Sequence, residues 1–449
     1  MGVKTRKLGN INNSLVEWQA VHVADGSTSL AAVSGRGYFI DTTSGTQTIT
    51  LPTSPAIGDT IMIVDYASTF NTNNVTVDPG TNKIEASTTD ATLSTNDQTH
   101  TLVFTDSTQG WKIVNQDTAT GIQPQYTSAT GGTVTTSGDF KIHSFTGDGC
   151  FVVSQAGNPI GGGATVDYLV VAGGGSGGVR SPGNANAGGG AGGMRFSAST
   201  YCAGGPAAPR AASCGLTISA QTYPITVGGG GAGVAPQNPG AYGNDGSNSV
   251  FSTITSTGGG GGGHGSAPAP GRPGGSGGGG GGGQPSPGAP GGNGNTPPVS
   301  PSQGSPGGVG GNTSPDQAAA GGGGMMSAGT SATPGGSGQG EGGNGGGIPT
   351  AFGSVGTCVC GVRYLSAGGG AGNSPDYSTG ATGGFGSGAG GHGSGAPTPL
   401  GNPAPTDTAK SGVANSGGGG GGAGAGAGHP FPSGSGGKGI VVIRYKFQN

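Results

Sequence analysis

The sequence predicts an all-β chain, on three observations. Short strand-like runs separated by turn residues fill the first part, up to about residue 172. Glycine, 112 of 449 residues, dominates the remainder, often without interruption. No stretch carries the 3.6-residue apolar period of a long helix. The expected architecture is a β-sandwich-like N-terminal domain, a β base and a glycine-rich polyglycine II helix bundle, with almost no α-helix.

Residues 1–33 carry Lys4, Arg6 and Lys7, then Leu15, Val16, Trp18, Val21 and Val23, and read as an attachment or oligomerisation segment. Residues 34–120 read as the sandwich-like domain, with strands expected over 37–41, 47–51, 60–66, 74–77, 99–105 and 111–114. The near-continuous apolar run from Thr60 to Asp65 suits a central strand, and Trp111 suits the core. Pro52, Pro55 to Gly58 and Asp78-Pro79-Gly80 supply turns. Residues 121–172 read as a connecting base with strands over 140–145, 150–154 and 166–172, and Asp148-Gly149 is a tight-turn signal. A further strand, 440–445 within the closing segment 438–449, emerges directly from glycine. Pairing 166–172 with 440–445 would anchor the two ends of the glycine-rich block together.

Between those brackets, residues 173–437 alternate glycine runs with proline- and serine-rich inserts. The runs at 258–263, 274–283 (with Ser276 inside) and from 417 are the clearest. Glycine builds no apolar core and loses much backbone entropy on ordering. Such a block is either slack or held by backbone hydrogen bonds between close chains. Collagen is excluded, since it needs glycine only at every third position. The same extended helix, three residues per turn with amides pointing outward, remains open. Side by side, glycine-only helices approach closely enough for each N–H and C=O to pair with neighbours, and inserts would then gather at the bundle ends. A flexible linker would instead be an unsorted serine–glycine mixture. Three inserts, 223–227, 250–257 and 358–365, are strand-like and are expected beneath the bundle.

Composition narrows the function classes. Charged residues are 8% and the formal net charge is −3. Between Ala211 and Val362 the only Lys or Arg is Arg272, which leaves no electrostatic footprint for nucleic acid. No apolar run reaches membrane-spanning length, and no signal-peptide region follows Met1. The five cysteines (Cys150, Cys202, Cys214, Cys358, Cys360) cannot all pair within one chain and read as buried free thiols. Cys358 and Cys360, flanking Val359 in an expected strand, should point the same way and could face Cys202 or Cys214.

Catalytic chemistry is not legible. GxGxxG matches carry no weight at this glycine content. The stretch Gly434 to Gly439 superficially suggests a phosphate loop, but no Ser or Thr follows Lys438 and a strand, not a helix, comes next. The six histidines show no metal spacing, and the acids of the block (Asp245, Asp316, Glu341, Asp376, Asp407) form no assignable pair. We expect no enzyme, no cofactor and no metal. Aromatic and polar residues on the inserts are the candidates for surface recognition. The candidate recognition set is His264, Arg272, Asp376, Tyr377, Phe385 and His392. Tyr242 and Phe431 read as packing residues instead, and Tyr168, Tyr445 and Arg363 as structural.

Two blocks carry a resemblance. The segment GRGYFIDTTSG from Gly35, continuing TQTITLPTSPAIGDTIMIVDYASTFNTNNVTV and closing THTLVFTDSTQGWKIV, resembles a β domain of bacteriophage tail fibres, especially those of marine and cyanobacterial phages. The block VDYLVVAGGGSGG … GGAGG … NDGSNSVFSTITSTGGGGGG … GGKGIVVIRY is similar to the glycine-rich C-terminal domain of the same proteins. The resemblance implies a fibrous homo-oligomer, most simply a trimer, on the virion exterior. Its N terminus would join a baseplate, tail or neck protein. Its tip loops would bind a host-surface polysaccharide or protein. The many prolines and the short β stem depart from the family pattern, so a short fibre, or one on the head or neck, stays open. So does a purely structural or decorating fibre without a receptor. A non-viral ice-binding or matrix protein fits less well, because the irregular inserts offer no flat repetitive face.

Overall fold

The computed structural model describes residues 16–118, 125–158, 161–179, 185–197, 210–212, 214–236, 240–265, 269–283, 288–311, 318–333, 340–372, 390–391, 409–426 and 429–448. Regular structure is almost entirely β, with helix confined to short 3₁₀ turns such as Thr350–Phe352. The chain divides into two compact units, Met1–Gln125 and Tyr126–Asn449.

In the N-terminal unit two sheets share one core. One orders Glu17–Trp18, Arg36–Asp41, Thr60–Asp65, Gln98–Asp106 and Gly110–Thr118, with His22–Val23 also paired to Arg36–Asp41. The other orders Leu30–Ala31, Gln47–Thr50, Val75–Asp78 and Ala91–Leu93. The chain crosses between the sheets as it proceeds. Arg36–Asp41 and Thr60–Asp65 are therefore parallel, as are Gln47–Thr50 and Val75–Asp78. Proline and glycine mark where this chain bends, not which sheet it enters next, so the parallel winding is not written in the turns. Thr60–Asp65 is central, and its burial alternates: Ile61 and Ile63 face the core while Met62 and Val64 are half-buried. Trp111 is fully buried and packs edge-on to Phe104 at 5.5 Å.

The C-terminal unit is built on a seam. The opening strand, Thr165–Val171, pairs antiparallel with the closing strand, Ile440–Lys446, from Asp167 against Arg444 to Val171 against Ile440. Phe140–Phe145 flanks the closing strand on its other edge. Alternate residues of the closing strand enter two different cores. Val441, Ile443 and Tyr445 join Phe151, Tyr223 and Phe251, while Ile440 and Val442 join Phe196, Phe352 and Leu365. A strand buried on both faces needs no polar alternation. Inside the seam Arg444 Nη1 meets Asp167 Oδ2 at 2.9 Å, both side chains being less than a tenth exposed. Ser197 Oγ donates to Asp167 Oδ1 at 3.1 Å, and the guanidinium lies 3.5 Å from the centre of the Phe140 ring. The buried charges are thus paired, with a further hydrogen bond to the carboxylate and an aromatic face against the guanidinium, which helps to offset their desolvation.

Beyond the seam the glycine runs form a bundle held by backbone hydrogen bonds with a period of three residues. In run 173–179, residues 173, 176 and 179 donate to the carbonyls of 247, 244 and 241. Gly174 and Gly177 donate to Gly437 and Gly434, and Gly175 and Gly178 to Gly190 and Ala187. The carbonyls of the same run accept from Gly231, from Gly259 and Gly262, and from Gly420 and Ala423. Six neighbouring runs therefore surround it, the arrangement of packed polyglycine II helices. Run 185–193 is enclosed in the same way. Space, not dihedral angle, demands glycine here. A Cβ on Gly174 would stand 2.1 Å from the Gly418 carbonyl oxygen, although Gly174 does not adopt left-handed φ. Alanine is admitted where methyls meet one another, as in the buried cluster Ala185, Ala187, Ala319 and Ala371.

Proline is not confined to the bundle ends. Exposed Pro270 and Pro273 lie three apart in one peripheral run, as do Pro290 and Asn293 in the next. A three-residue turn places such positions on one outward row, where an N–H has no neighbour to meet. Proline lacks that N–H and its φ suits the helix, so the outer runs accept it.

Four local expectations change. The segments 250–257 and 358–365 are hairpins, Ser249–Phe251 with Ile254–Ser256 and Thr357–Val359 with Val362–Leu365. Asp148-Gly149 does not close a hairpin: it carries the chain between sheets, and Asp148 Oδ1 accepts from Val227 N at 2.8 Å. Cys358 ends up in a strand and Cys360 in the turn after it, at φ 47°, so the two do not share a strand face. Cys150, Cys214, Cys358 and Cys360 are exposed free thiols, not buried ones, because each lies on an outer strand face or turn; Cys202 lies outside the described residues.

Three outcomes are expected. Gly174→Ala should destabilise the C-terminal unit by about 1–3 kcal/mol through forced overpacking. Gly229, whose Cβ would meet nothing, should instead gain about 0.4–1 kcal/mol on substitution by Ala, as read by chemical denaturation. His143 is fully buried between the Gly131 carbonyl (2.7 Å) and the Tyr445 hydroxyl (3.1 Å), and burial is the main cause that lowers its pKa. Its neutral form is favoured on folding, so its contribution is complete above the ordinary imidazole value of about 6.5 and is lost as pH falls below it. Calorimetric melting of the C-terminal unit between pH 8 and 5 should show this loss, reduced in His143→Gln.

Candidate functional site

Three runs of the bundle build one exposed cluster. Residues 258–263 lie between 243–246, which donate to them through Gly243 and Gly246, and 272–275, which donate through Arg272 and Gly275. The two outer runs thus flank the middle one. Tyr242 and Asp245 are three residues apart, which puts them on the same row of a helix with three residues per turn. Asp245 Oδ1 accepts from the Gly261 amide at 2.8 Å, fixing its carboxylate over the middle run. Asp245 Oδ2 meets Arg272 Nη1 at 3.3 Å across that run. The Arg272 guanidinium lies 5.3 Å from the Tyr242 ring centre, and His264, at the end of the middle run, meets Tyr242 edge-on at 4.7 Å.

The Arg272 and Asp245 side chains are 45% and 49% exposed. An ion pair so open contributes about 1 kcal/mol or less, and an exposed cation–π contact a similar amount. Stability therefore does not explain the cluster. What it offers is an aromatic ring, an imidazole, a carboxylate and a guanidinium with donors directed to solvent, all carried on backbone that is hydrogen-bonded on every turn. That combination suits recognition of a polar surface group such as a sugar or a peptide loop.

Of the sequence-predicted set, the structure brings together His264 and Arg272. Asp376, Tyr377, Phe385 and His392 lie outside the described residues. Tyr242, read as packing, is half-buried and forms the centre of the cluster. Asp245 is absent from the predicted set; its three-residue spacing from Tyr242 is the signal that marks it. The phosphate-loop look-alike is occupied by bundle bonding, with the Gly434, Gly436 and Gly437 amides donating to Gly421, Gly231 and Gly418. Among the described residues no three His, Cys, Asp or Glu side chains gather as a metal site.

A search of curated proteins returned no match. Residues 152–446 match the model of the glycine-rich domain family, about two thirds of the sequence, and the chain belongs to that family.

Proposed function

We propose that this protein is a virion fibre that recognises the host-cell surface through side chains carried on its glycine-helix bundle. The observation that carries the reading is the cluster Tyr242, Asp245, His264 and Arg272, open to solvent at Asp245 and Arg272, chemically mixed and fixed by backbone on three runs. Membership of the glycine-rich family and the sequence resemblance to phage tail fibres support it. In this reading the glycines are scaffold and the interrupting residues are the contact surface. The N-terminal segment joins the particle, the chain assembles as a homotrimer, and the partner is a surface polysaccharide or protein.

The test is binding of fluorescently labelled full-length protein to a panel of cyanobacterial strains. The reading predicts saturable binding to at least one strain, weakened at least about tenfold in the Tyr242→Ala, Arg272→Ala double variant, with its melting temperature retained. Absence of binding to every strain at saturating protein would favour a purely structural or decorating fibre. Binding that the double variant leaves unchanged would rule out the cluster as the contact surface.

A further inference from the structure

The base of the C-terminal unit holds a second feature that the cluster on the bundle does not use. A groove of about 330 Å³ opens between one sheet face and two turns, at 353–356 and 413–416. That volume is at the lower end of the range for small-molecule sites, about 300–1,000 Å³. Thr133 and Ser144 are cross-strand partners, and Ser144 stands opposite Val442, so all three side chains share the face that Ile440 also joins. Thr146, Val355, Val413 and Asn415 complete the walls. Asn415 is held at φ 57°, in the turn that presents it to the groove.

The lining chemistry is selective. No charged side chain contributes to it. Among the described residues, the hydroxyls of Thr133, Ser144 and Thr146 and the Asn415 amide make no side-chain hydrogen bond, whereas neighbouring Ser416 is spent on the Val413 carbonyl at 2.6 Å. A charged ligand would be desolvated there without a counter-charge. A wholly apolar ligand would strip water from the hydroxyls and the amide and return nothing. A neutral ring with hydroxyls at its rim and C–H groups on its face satisfies both surfaces, the latter lying on Val355, Val413 and Ile440.

We propose that this groove binds a single neutral sugar ring of a glycan. The site stands independently of the bundle cluster and of the reading built on it. The test is saturation-transfer NMR with titration of the full-length protein by glucose, galactose, mannose and N-acetylglucosamine, with glucuronic acid as the charged comparison. At least one neutral sugar should bind saturably at millimolar concentration, and glucuronic acid at least about tenfold more weakly than glucose should glucose be that sugar. The shape-conserving double variant Thr133→Val, Thr146→Val should weaken binding about tenfold. Ala414→Trp, at an exposed wall position, should abolish it. No saturable signal from any of the four neutral sugars up to about 50 mM overturns the proposal. So does binding that persists unaltered in both groove variants, each checked for native melting.

Discussion

The structure of the C-terminal unit depends on one interaction, the backbone hydrogen bond between glycine helices that repeats every three residues. A lone extended helix of this kind leaves its amides to water and has no internal bonds. In run 173–179 successive amides turn to three different neighbours, and successive carbonyls receive from three more. Each bond contributes only about 0.5–1.5 kcal/mol net, but an unmade one in the dry interior costs more than that. The arrangement is therefore cooperative: a run is stable only when its neighbours are in place. The absence of side chains permits this approach. It is also why the interior can be dry without being an apolar core in the usual sense.

Such a bundle needs its ends held, since glycine contributes so much chain entropy to the unfolded state. The seam supplies this. The strand that leads into the block and the strand that leaves it are adjacent, register-fixed and buried on both faces, with Asp167 and Arg444 paired between them. Inserts that pack below, such as Thr222–Thr226 and Ser249–Phe251, tie intermediate points of the block to the same base. In the proposed reading, function falls to positions where the period of three carries a side chain outward. Prolines end the lattice on two such rows, and Tyr242, Asp245 and Arg272 use others to present side chains.

Much of this is legible in the sequence. The bracketing strands announce themselves as apolar runs bordering glycine, and the sorting of runs from inserts distinguishes a bundle from a linker. His264 and Arg272 stand out because they interrupt stretches of glycine and proline. The features that stay hidden depend on information a linear pattern lacks. Turn residues around Pro55 and Asp78 locate bends but not the parallel winding of the N-terminal sheets. Cys358 and Cys360 look like alternating strand positions, yet the left-handed φ of Cys360 places it in the turn, while Cys358 stays in the strand opposite Arg363. Tyr242 looks like a plug because aromatics usually are. Its partners Arg272 and His264 come from other runs, and only the lateral order of the helices brings them close. The prolines interrupt the glycine pattern, and the outward rows show why the bundle accepts them.

The central claim is that the glycine runs form a cooperatively hydrogen-bonded bundle, and amide hydrogen exchange resolved to single residues tests it most directly. Strong protection is expected at Gly174, Gly175, Gly178 and Gly189, whose amides bond inside enclosed runs, and fast exchange at Gly229 and Ala232 on the exposed outer row. Protection in the enclosed runs should disappear together, in one transition, as denaturant is raised. Complete exchange at the enclosed glycines within the dead time of the experiment would contradict it.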